Sequence, residues 1–532
     1  MENFVCRDYE QSAYQALVCH GVVPALARIY AARKVETPQH LEITFERLIP
    51  PASLKNVRDM ACILADGIAA NKRFLIIADY DADGATACAV CVRAMRAFGA
   101  KVEYLVPNRF EYGYGLTPEI VRLAHERRPD FLITVDNGIA SIDGVREAKR
   151  LGMVALITDH HLPAEELPVC ECIVNPNQPG CEFPSKHLAG VGVAFYVMLA
   201  LRAELRGRGF FANPPSPPLT KGGGAAGGFS EPNLAKLLDL VALGTVADVV
   251  RLDHNNRILV ASGLKRIRAG QASAGIKALF TVSARDAGRA ASYDLAFCLA
   301  PRLNAAGRLT DMSLGIECLL SDDEERAFSL AQQLDELNRE RREIEAEMHE
   351  QAVLALEQVC ADNSFALCLF DPRWHQGVIG ILASRLREKF NRPVIAFANG
   401  SNGELKGSGR SVAALHLRDA LDLIAKRHPG LVLKFGGHAA AAGLSIAHDG
   451  FPRFARAIED TLRQLLTPAD LERVIETDGP LAAEELTQDL ALAIHSQVWG
   501  QGFPAPLFCD RFRVENQRVV KEKHLRLKLW KD

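Results

Sequence analysis

The run Phe74-Leu75-Ile76-Ile77-Ala78 passes directly into Asp79-Tyr80-Asp81-Ala82-Asp83-Gly84. An apolar segment of strand length that ends in carboxylates at alternate positions, followed by a glycine, reads as a buried strand discharging into a charged turn. Carboxylates this close repel one another unless a positive charge sits among them, and hard divalent cations are held by oxygen ligands of this kind. The turn is therefore a candidate metal seat. A solvated acidic loop is the plain alternative, and the recurrence of acidic or histidine-bearing turns after later strands weighs against it.

Outward from this stretch, strand-like runs recur at the spacing of βαβ units: Val102 to Val106, Phe131 to Val135, Val154 to Thr158 and Cys172 to Val174. Helical patterns such as Thr86 to Phe98 and Pro118 to Arg127 lie between them. This alternation predicts an α/β fold with a doubly wound parallel sheet, in which ligands bind just beyond the carboxyl ends of the strands. The charged turns fall at those ends.

Elsewhere the chain divides at changes of composition. An N-terminal helical segment (1–50) stops at Pro50-Pro51, and the α/β domain is expected over 51–320. Within it, 207–232 is rich in Pro, Gly and Ala and reads as a flexible surface insertion. A helical region from Leu234 to Arg268 is interrupted around Gly244-Thr245-Val246-Ala247-Asp248. From Asp322 to Val359 there is no Gly or Pro, which predicts one long, mostly charged connecting helix (321–361). A smaller α/β domain (362–455) follows, with a strand Phe365 to Phe370, a helix Gly377 to Phe390 and a strand Pro393 to Ala398. Its glycine-rich segments, Lys406-Gly407-Ser408-Gly409-Arg410 and Gly436-Gly437-His438, are read as turns. The remainder (456–532) carries short strand-like runs, Arg473 to Glu476, Leu507 to Phe508, Phe512 to Glu515, Val519 to Val520 and Leu525 to Trp530, and predicts a small β-barrel.

Composition sets outer bounds. At 48% hydrophobic and 24% charged residues the chain is of ordinary globular type, with no apolar run of membrane-spanning length and no secretory pattern in Met1 to Glu10. Thirteen scattered cysteines argue against a disulfide framework and for the cytoplasm. Cys88 and Cys91, in an Ala-rich helical stretch, read as core packing. The formal charge of −3 leaves nucleic-acid binding open, because an acidic metal centre and a basic groove cancel in the sum.

The chemistry concentrates at strand ends. Asp79 and Asp81 close the first, Asp136-Asn137-Gly138 the Phe131 strand and Asp159-His160-His161 the Val154 strand, while Asp248 sits at the helical break. Carboxylates joined by imidazoles can hold two divalent ions and favour manganese or another first-row metal over magnesium. Two ions roughly 3.5–4 Å apart suit phosphoester hydrolysis. Taken singly, each residue has a bland reading: an Asp after a strand is usually a helix cap. Their joint occurrence carries the inference.

Together with Asn175-Pro176-Asn177 and Gly244 to Asp248, these segments resemble the DHH phosphoesterases. Pro301-Arg302-Leu303-Asn304-Ala305-Ala306-Gly307-Arg308, Trp374-His375-Gln376-Gly377-Val378-Ile379-Gly380, Lys406 to Ser411 and Gly436-Gly437-His438 narrow the resemblance to the branch of single-strand-specific 5′→3′ DNA exonucleases. The likeness extends from about residue 50 to 530. It implies two ions, Mn2+ or Mg2+, with Asp79, Asp81, Asp136, His160 and Asp248 as ligands, Asp136 as the bridge, and His161 either ligating or contacting the scissile phosphate. Asp83 and Asp159 are implied to orient those ligands. Arg109 and Tyr114 match a segment that lines the DNA path, although a turn packed on its own domain is an equal reading of the residues alone. Arg302, Asn304, Arg308, His375, Gln376, Ser408, Arg410, Gly437 and His438 are implied to bind the strand, although helix-surface salt bridges are the plain reading of the arginines.

The implied product is a mononucleotide, and the implied role is in DNA repair and recombination, by a monomer working with a helicase and a single-strand-binding protein and with no membrane partner. The active site is expected between the two α/β domains. Chains of this kind finish an oligonucleotide-binding barrel, whereas this sequence stops at Asp532, so a partial barrel is expected. A phosphodiesterase of short oligonucleotides or cyclic dinucleotides is the nearest alternative enzyme; an inactive single-strand-binding scaffold is the alternative of another class, disfavoured because every matched ligand position is intact.

Overall fold

In the computed structural model, which describes the chain apart from residues 1–2, 109–111, 113–114, 212–229, 359–363, 401–402, 521, 523 and 532, the apolar run forms the strand Arg73–Ala78, buried from Phe74 onward. It lies second in a five-stranded sheet whose order is Lys101–Leu105, Arg73–Ala78, Phe131–Val135, Val154–Thr158, Cys172–Val174. Every pairing is parallel. The doubly wound parallel sheet read from the sequence is present, and three of its strands have the expected bounds. Register sets where the loops begin. Ala78 pairs with Val135, Val135 with Thr158 and Thr158 with Val174, so Asp79, Asp136, Asp159 and Asn175 leave neighbouring strands at one level. Adjacent strands lie about 4.8 Å apart, close enough for their first loop residues to share a site.

The helix Ala82–Ala97 is buried along most of its length, Cys88 and Cys91 included. It packs against Gly190–Gly207 and Leu238–Ala247. The break expected around Gly244 to Asp248 is displaced: helix Leu238–Ala247 runs through Gly244, and the chain leaves it at Asp248, with Val249 at φ 60°. Gly244 serves close packing, since a Cβ there would crowd Val191 and the Asp83 carboxylate. Most of the 207–232 insertion lies outside the described residues.

The charged segment forms one helix, Glu324–Gln358, as its composition implies. It begins in a compact unit made of Cys6–Glu336 with Thr477–Asp532 and ends in a second unit made of Met1–Val5 with Leu337–Glu476. The second unit holds another five-stranded sheet, ordered Lys434–Gly437, Ala441–Ala447, Glu404–Arg410, Val394–Asn399, Leu367–Phe370. Here the reading of the glycine-rich segments as turns is corrected. Lys406 to Arg410 lies in an interior strand paired on both sides, and Gly436 and Gly437 end the strand Lys434–Gly437. The glycines are there for space: a Cβ on Gly407 would lie 2.5 Å from the Phe397 ring and 2.7 Å from Leu444. Alternation then sets Lys406, Ser408 and Arg410 on the face opposite that core. A division at 455/456 would cut the helix Phe451–Leu465, whose Phe454, Ala457, Ile458 and Leu462 sit in this unit's core.

Residues 477–532 contribute the helix Gln488–Ser496 and the antiparallel hairpin Arg513–Val520 with His524–Trp530. The runs Phe512 to Glu515 and Val519 to Val520 merge into one hairpin strand, Arg473 to Glu476 becomes Val474–Thr477, and Leu507–Phe508 is not a strand. Asp478 ties this segment to the amino-terminal helices. Its carboxylate accepts from Arg33 Nη1 (2.6 Å), Arg33 Nη2 (3.0 Å) and the Leu507 N–H (2.9 Å). Burial alone would raise the Asp478 pKa, but the Arg33 and Leu507 hydrogen bonds and the charges of Arg33 and Arg7 outweigh it and hold it below the usual carboxylate range. A depressed folded pKa gives stability that is present above the unfolded value and is lost as pH falls through the folded one. Asp478→Asn leaves the Arg33 guanidinium buried without its counter-charge and should cost about 3–5 kcal/mol near neutral pH. Urea unfolding checks this; the gap between parent and variant should shrink below about pH 4, and a variant equal to the parent near pH 7 refutes it.

Candidate metal centre

The sheet ladder continues one residue past each strand. Asp79 N–H donates to Val135 O (3.4 Å), Asp136 N–H to Thr158 O (3.0 Å) and Asp159 N–H to Val174 O (3.1 Å). Backbone pairing thus fixes three carboxylate-bearing Cα atoms before any side chain acts. Asp136 then turns with φ 62°, in the left-handed region that Asp tolerates better than most residues. Asn137 Nδ2 holds that turn by donating to Val135 O (2.9 Å) and Ile77 O (3.2 Å). The amino-terminal end of helix Gly190–Gly207 closes against Asp136, where a Cβ on residue 190 would lie 2.5 Å from the carboxylate. Only glycine fits there.

Asp81 caps helix Ala82–Ala97, accepting from Asp83 N (2.9 Å) and Gly84 N (3.0 Å). Asp83 accepts from Gly190 N (2.6 Å) and Val191 N (2.9 Å), the first N–H groups of the facing helix. Asp159 organises the histidines: its carboxylate accepts from Ile139 N, His160 N and His161 N, and its Oδ1 lies 2.8 Å from His161 Nδ1. Asn175 and Asn177 fix the same segment by donating to His161 O (2.9 Å) and His160 O (2.6 Å). The sequence flagged Asn175-Pro176-Asn177 without a role; its register one strand beyond Asp159 supplies one.

Among the described residues, the side chains form three sets whose donor atoms lie within 4.8 Å of one another: Asp79, Asp81 and Asp136; Asp136, His160 and His161; Asp83, His160 and Asp248. Asp136 and His160 each belong to two. His160 Nε2 lies 3.1 Å from Asp136 Oδ1 and 3.4 Å from Asp248 Oδ2. Burial, then the charges of the neighbouring carboxylates, push Asp136 and Asp248 well above the usual range. Burial and the Asp81 charge bring Asp83 up to about 7. His161 goes the other way. Burial opposes its charge, but the Asp159 hydrogen bond and the charges of Asp159, Asp79 and Asp81 raise it to about 9. In turn, against the pull of burial, His161 and His160 hold Asp159 below its ordinary value. Asp248 Oδ2 is buried and accepts no hydrogen bond among the described residues. A crowd of carboxylates driven toward protonation, with an idle buried oxygen at its rim, fits divalent cations as the missing counter-charge. The mixture of oxygen and imidazole donors suits manganese as well as magnesium.

The other residues singled out in the sequence fall in both units. Arg302 pairs with Asp335 (2.7 Å) and donates to Cys298 O; Asn304 Oδ1 accepts from Ala82 N (2.8 Å). These two are engaged within their own unit, Asn304 by bracing the Asp79 to Gly84 loop, and Arg308 is half-buried nearby on helix Ala300–Leu309. Arg109 and Tyr114 lie outside the described residues. In the other unit, His375 Nδ1 accepts from Gly377 N (3.1 Å), Gln376 is exposed, Arg410 Nη1 donates to Ser408 Oγ (3.2 Å) and His438 is exposed beyond Gly437, whose φ is 141°.

Family models match three parts of the chain: the DHH family N-terminal domain at residues 73–245, the DHHA1 domain at 362–464 and the RecJ OB domain at 477–532. A single-stranded-DNA-specific exonuclease RecJ from Dickeya dadantii is 52% identical over 511 residues, covering 95% of this chain and 86% of the relative. Its counterpart from Escherichia coli is 49% identical, with coverage of 95% and 86%. The crystal structure of RecJ in complex with Mn2+ from Thermus thermophilus superimposes with a TM-score of 0.80 at 30% identity, covering 99% of this chain and 72% of that one. The Mg2+ complex of that protein gives 0.74 at 29% identity, covering 99% and 71%. If the acidic cluster takes cations, Mn2+ should raise the melting temperature of the full chain, by the equivalent of about 2.7 kcal/mol at a hundred times the dissociation constant. Asp136→Asn should abolish most of that rise. An equal rise in parent and variant would place the ions elsewhere.

Proposed function

Because the chain belongs to the RecJ family of single-stranded-DNA-specific exonucleases, we propose that it hydrolyses single-stranded DNA from the 5′ end to mononucleotides, with two divalent ions, Mn2+ or Mg2+, at the carboxyl ends of its parallel strands. The observation that carries this reading is the register-aligned convergence of Asp79, Asp136 and Asp159 with His160, His161 and Asp248. Asp79, Asp81 and Asp136 would hold one ion, and Asp136, His160 and Asp248 the other, with Asp136 in common. Such ions supply positive charge against the phosphodiester and against the charge that develops on the leaving oxygen.

The protein's own groups do the rest. Asp83 ties the helix Ala82–Ala97 to the start of Gly190–Gly207, so the carboxylates keep their spacing whether or not a substrate is present. Asp159 engages His161 at Nδ1, so Nε2 is the atom that would meet an ion or the scissile phosphate.

In the smaller α/β unit, Ser408, Arg410, Gly437, His438, His375 and Gln376 offer donors for the phosphates of the strand, and Arg308, Arg109 and Tyr114 would contact it along its path. Capture of the 5′ end by such donors would set polarity. An enzyme confined to single strands needs a source of them, which makes a helicase and a single-strand-binding protein the expected partners of a cytoplasmic monomer in repair and recombination. No described helix is long and apolar enough to cross a membrane.

The test is digestion of single-stranded DNA labelled at either end, in Mn2+. A 5′ label should leave at once as a mononucleotide while a 3′ label stays on long products. Asp136→Ala should lose activity by more than about 100-fold, and Asn177→Ala, which only releases the His160 carbonyl, by about 10–100-fold. Early release of the 3′ label would overturn the polarity, and activity restricted to oligomers of a few nucleotides would replace the reading with a short-substrate phosphodiesterase.

A further inference from the structure

A cavity of about 340 Å3 lies where the amino-terminal segment, the start of helix His254–Arg268 and the Gly502–Phe503 loop meet. Its charge is one-sided. Lys34, His187, Arg251, His254 and Arg257 line it, and Asp253 is the lining acid. That carboxylate is committed elsewhere: one oxygen caps the helix through Asn256 N (2.9 Å) and the other accepts from Ser185 Oγ (2.7 Å). Arg33, also in the lining, already has its counter-charge in Asp478.

Arg257 is the anomaly. The residue is 6% exposed, it donates through Nη2 to the His40 carbonyl (3.0 Å), and its guanidinium lies 4.2 Å from the centre of the Phe503 ring. Its Nε is buried and has no hydrogen-bond partner, and Asp253, one turn before it, favours its charged form without an ion pair to it among the described residues. A buried guanidinium without an anion is costly, and an idle N–H donor adds to that cost. Lys34, His187 and Arg251 are exposed at the rim, so an entering anion would meet cations first.

We propose that this cavity binds a phosphate group on a small ligand, inorganic phosphate or a nucleoside monophosphate, with Arg257 as the buried anchor and Lys34 and Arg251 as the rim. A guanidinium N–H suits a phosphate oxygen as a charge-assisted donor, and the cavity is large enough for the phosphate with a sugar attached. Because the lining comes from four separated stretches of chain, a bound phosphate would fasten the amino-terminal segment and the Gly502–Phe503 loop to the strand-bearing domain.

The experiment uses the full chain in EDTA, so that the acidic centre holds no cation to attract phosphate. Melting temperature and calorimetric binding are followed against sodium phosphate, thymidine 5′-monophosphate and sodium chloride at matched ionic strength. A saturable rise with phosphate that chloride does not reproduce is expected, with Arg257→Gln removing it. Since Arg257→Gln could also disturb packing against Phe503, the exposed rim is tested in Lys34→Gln and Arg251→Gln, each of which should weaken binding by about tenfold while melting as the parent does in chloride. Tighter binding of the monophosphate than of phosphate would assign a nucleotide, and equal binding a phosphate alone; both support the site. No rise beyond chloride, or a rise unchanged in the rim and anchor variants, overturns the proposal and leaves Arg257 as a cation that serves only to hold Phe503.

Discussion

Repulsion among carboxylates brought to one level by parallel strand register is the constraint on which the rest of this structure depends. The ladder that pairs Ala78 with Val135 and Val135 with Thr158 delivers Asp79, Asp136 and Asp159 side by side. Nothing in the sheet itself relieves the resulting charge. The relief the protein does supply is directional: N–H groups from Asp83, Gly84, Gly190 and Val191 point at Asp81 and Asp83, and His161 is locked onto Asp159. Burial and the charges of the neighbouring carboxylates drive Asp136 and Asp248 well toward protonation, which is the electrostatic mark of a place built for cations.

The helices around the sheet answer to the same constraint. Gly190 has no side chain because the Asp136 carboxylate occupies the space where one would begin, and Asn304 reaches the Ala82 N–H to keep the acidic loop from relaxing outward. Holding like charges together without their counter-ions stores unfavourable energy, and these contacts keep the loops from spreading to release it. Pre-organisation here consists of restraint on acids that would otherwise separate.

Much of this was legible in the sequence for a physical reason. Strands buried on both faces read as continuous apolar runs, so Phe131–Val135, Val154–Thr158 and Cys172–Val174 announce their own ends, and the residues after those ends announce the site. What stayed hidden depended on partners distant in the chain. Gly407 and Gly409 look like a turn until Phe397 and Leu417 are seen filling the volume they leave. Arg302 looks like a free donor until Asp335 is found beside it, and Asn175 and Asn177 acquire their purpose only when the Cys172–Val174 strand lies next to Val154–Thr158. Local pattern gives element and edge; it does not give what stands opposite.

The carboxyl-terminal segment shows the same limit at its greatest range. Tyr30, Trp499 and Phe503 stack within 5.3–6.4 Å of one another, and two arginines lie on their faces, Arg33 over Trp499 and Arg257 over Phe503. Aromatic faces attract a guanidinium but do not replace a full counter-charge. Arg33 has one in Asp478, and that pair closes the junction between helices near residue 30 and the segment beyond 477. Arg257 sits in the same aromatic setting and lines a cavity, with no ion pair to a carboxylate among the described residues. The two arginines share packing and burial and differ in compensation: Arg33 has a paired carboxylate in Asp478, whereas Arg257 has no ion pair among the described residues and feels Asp253 only through its charge.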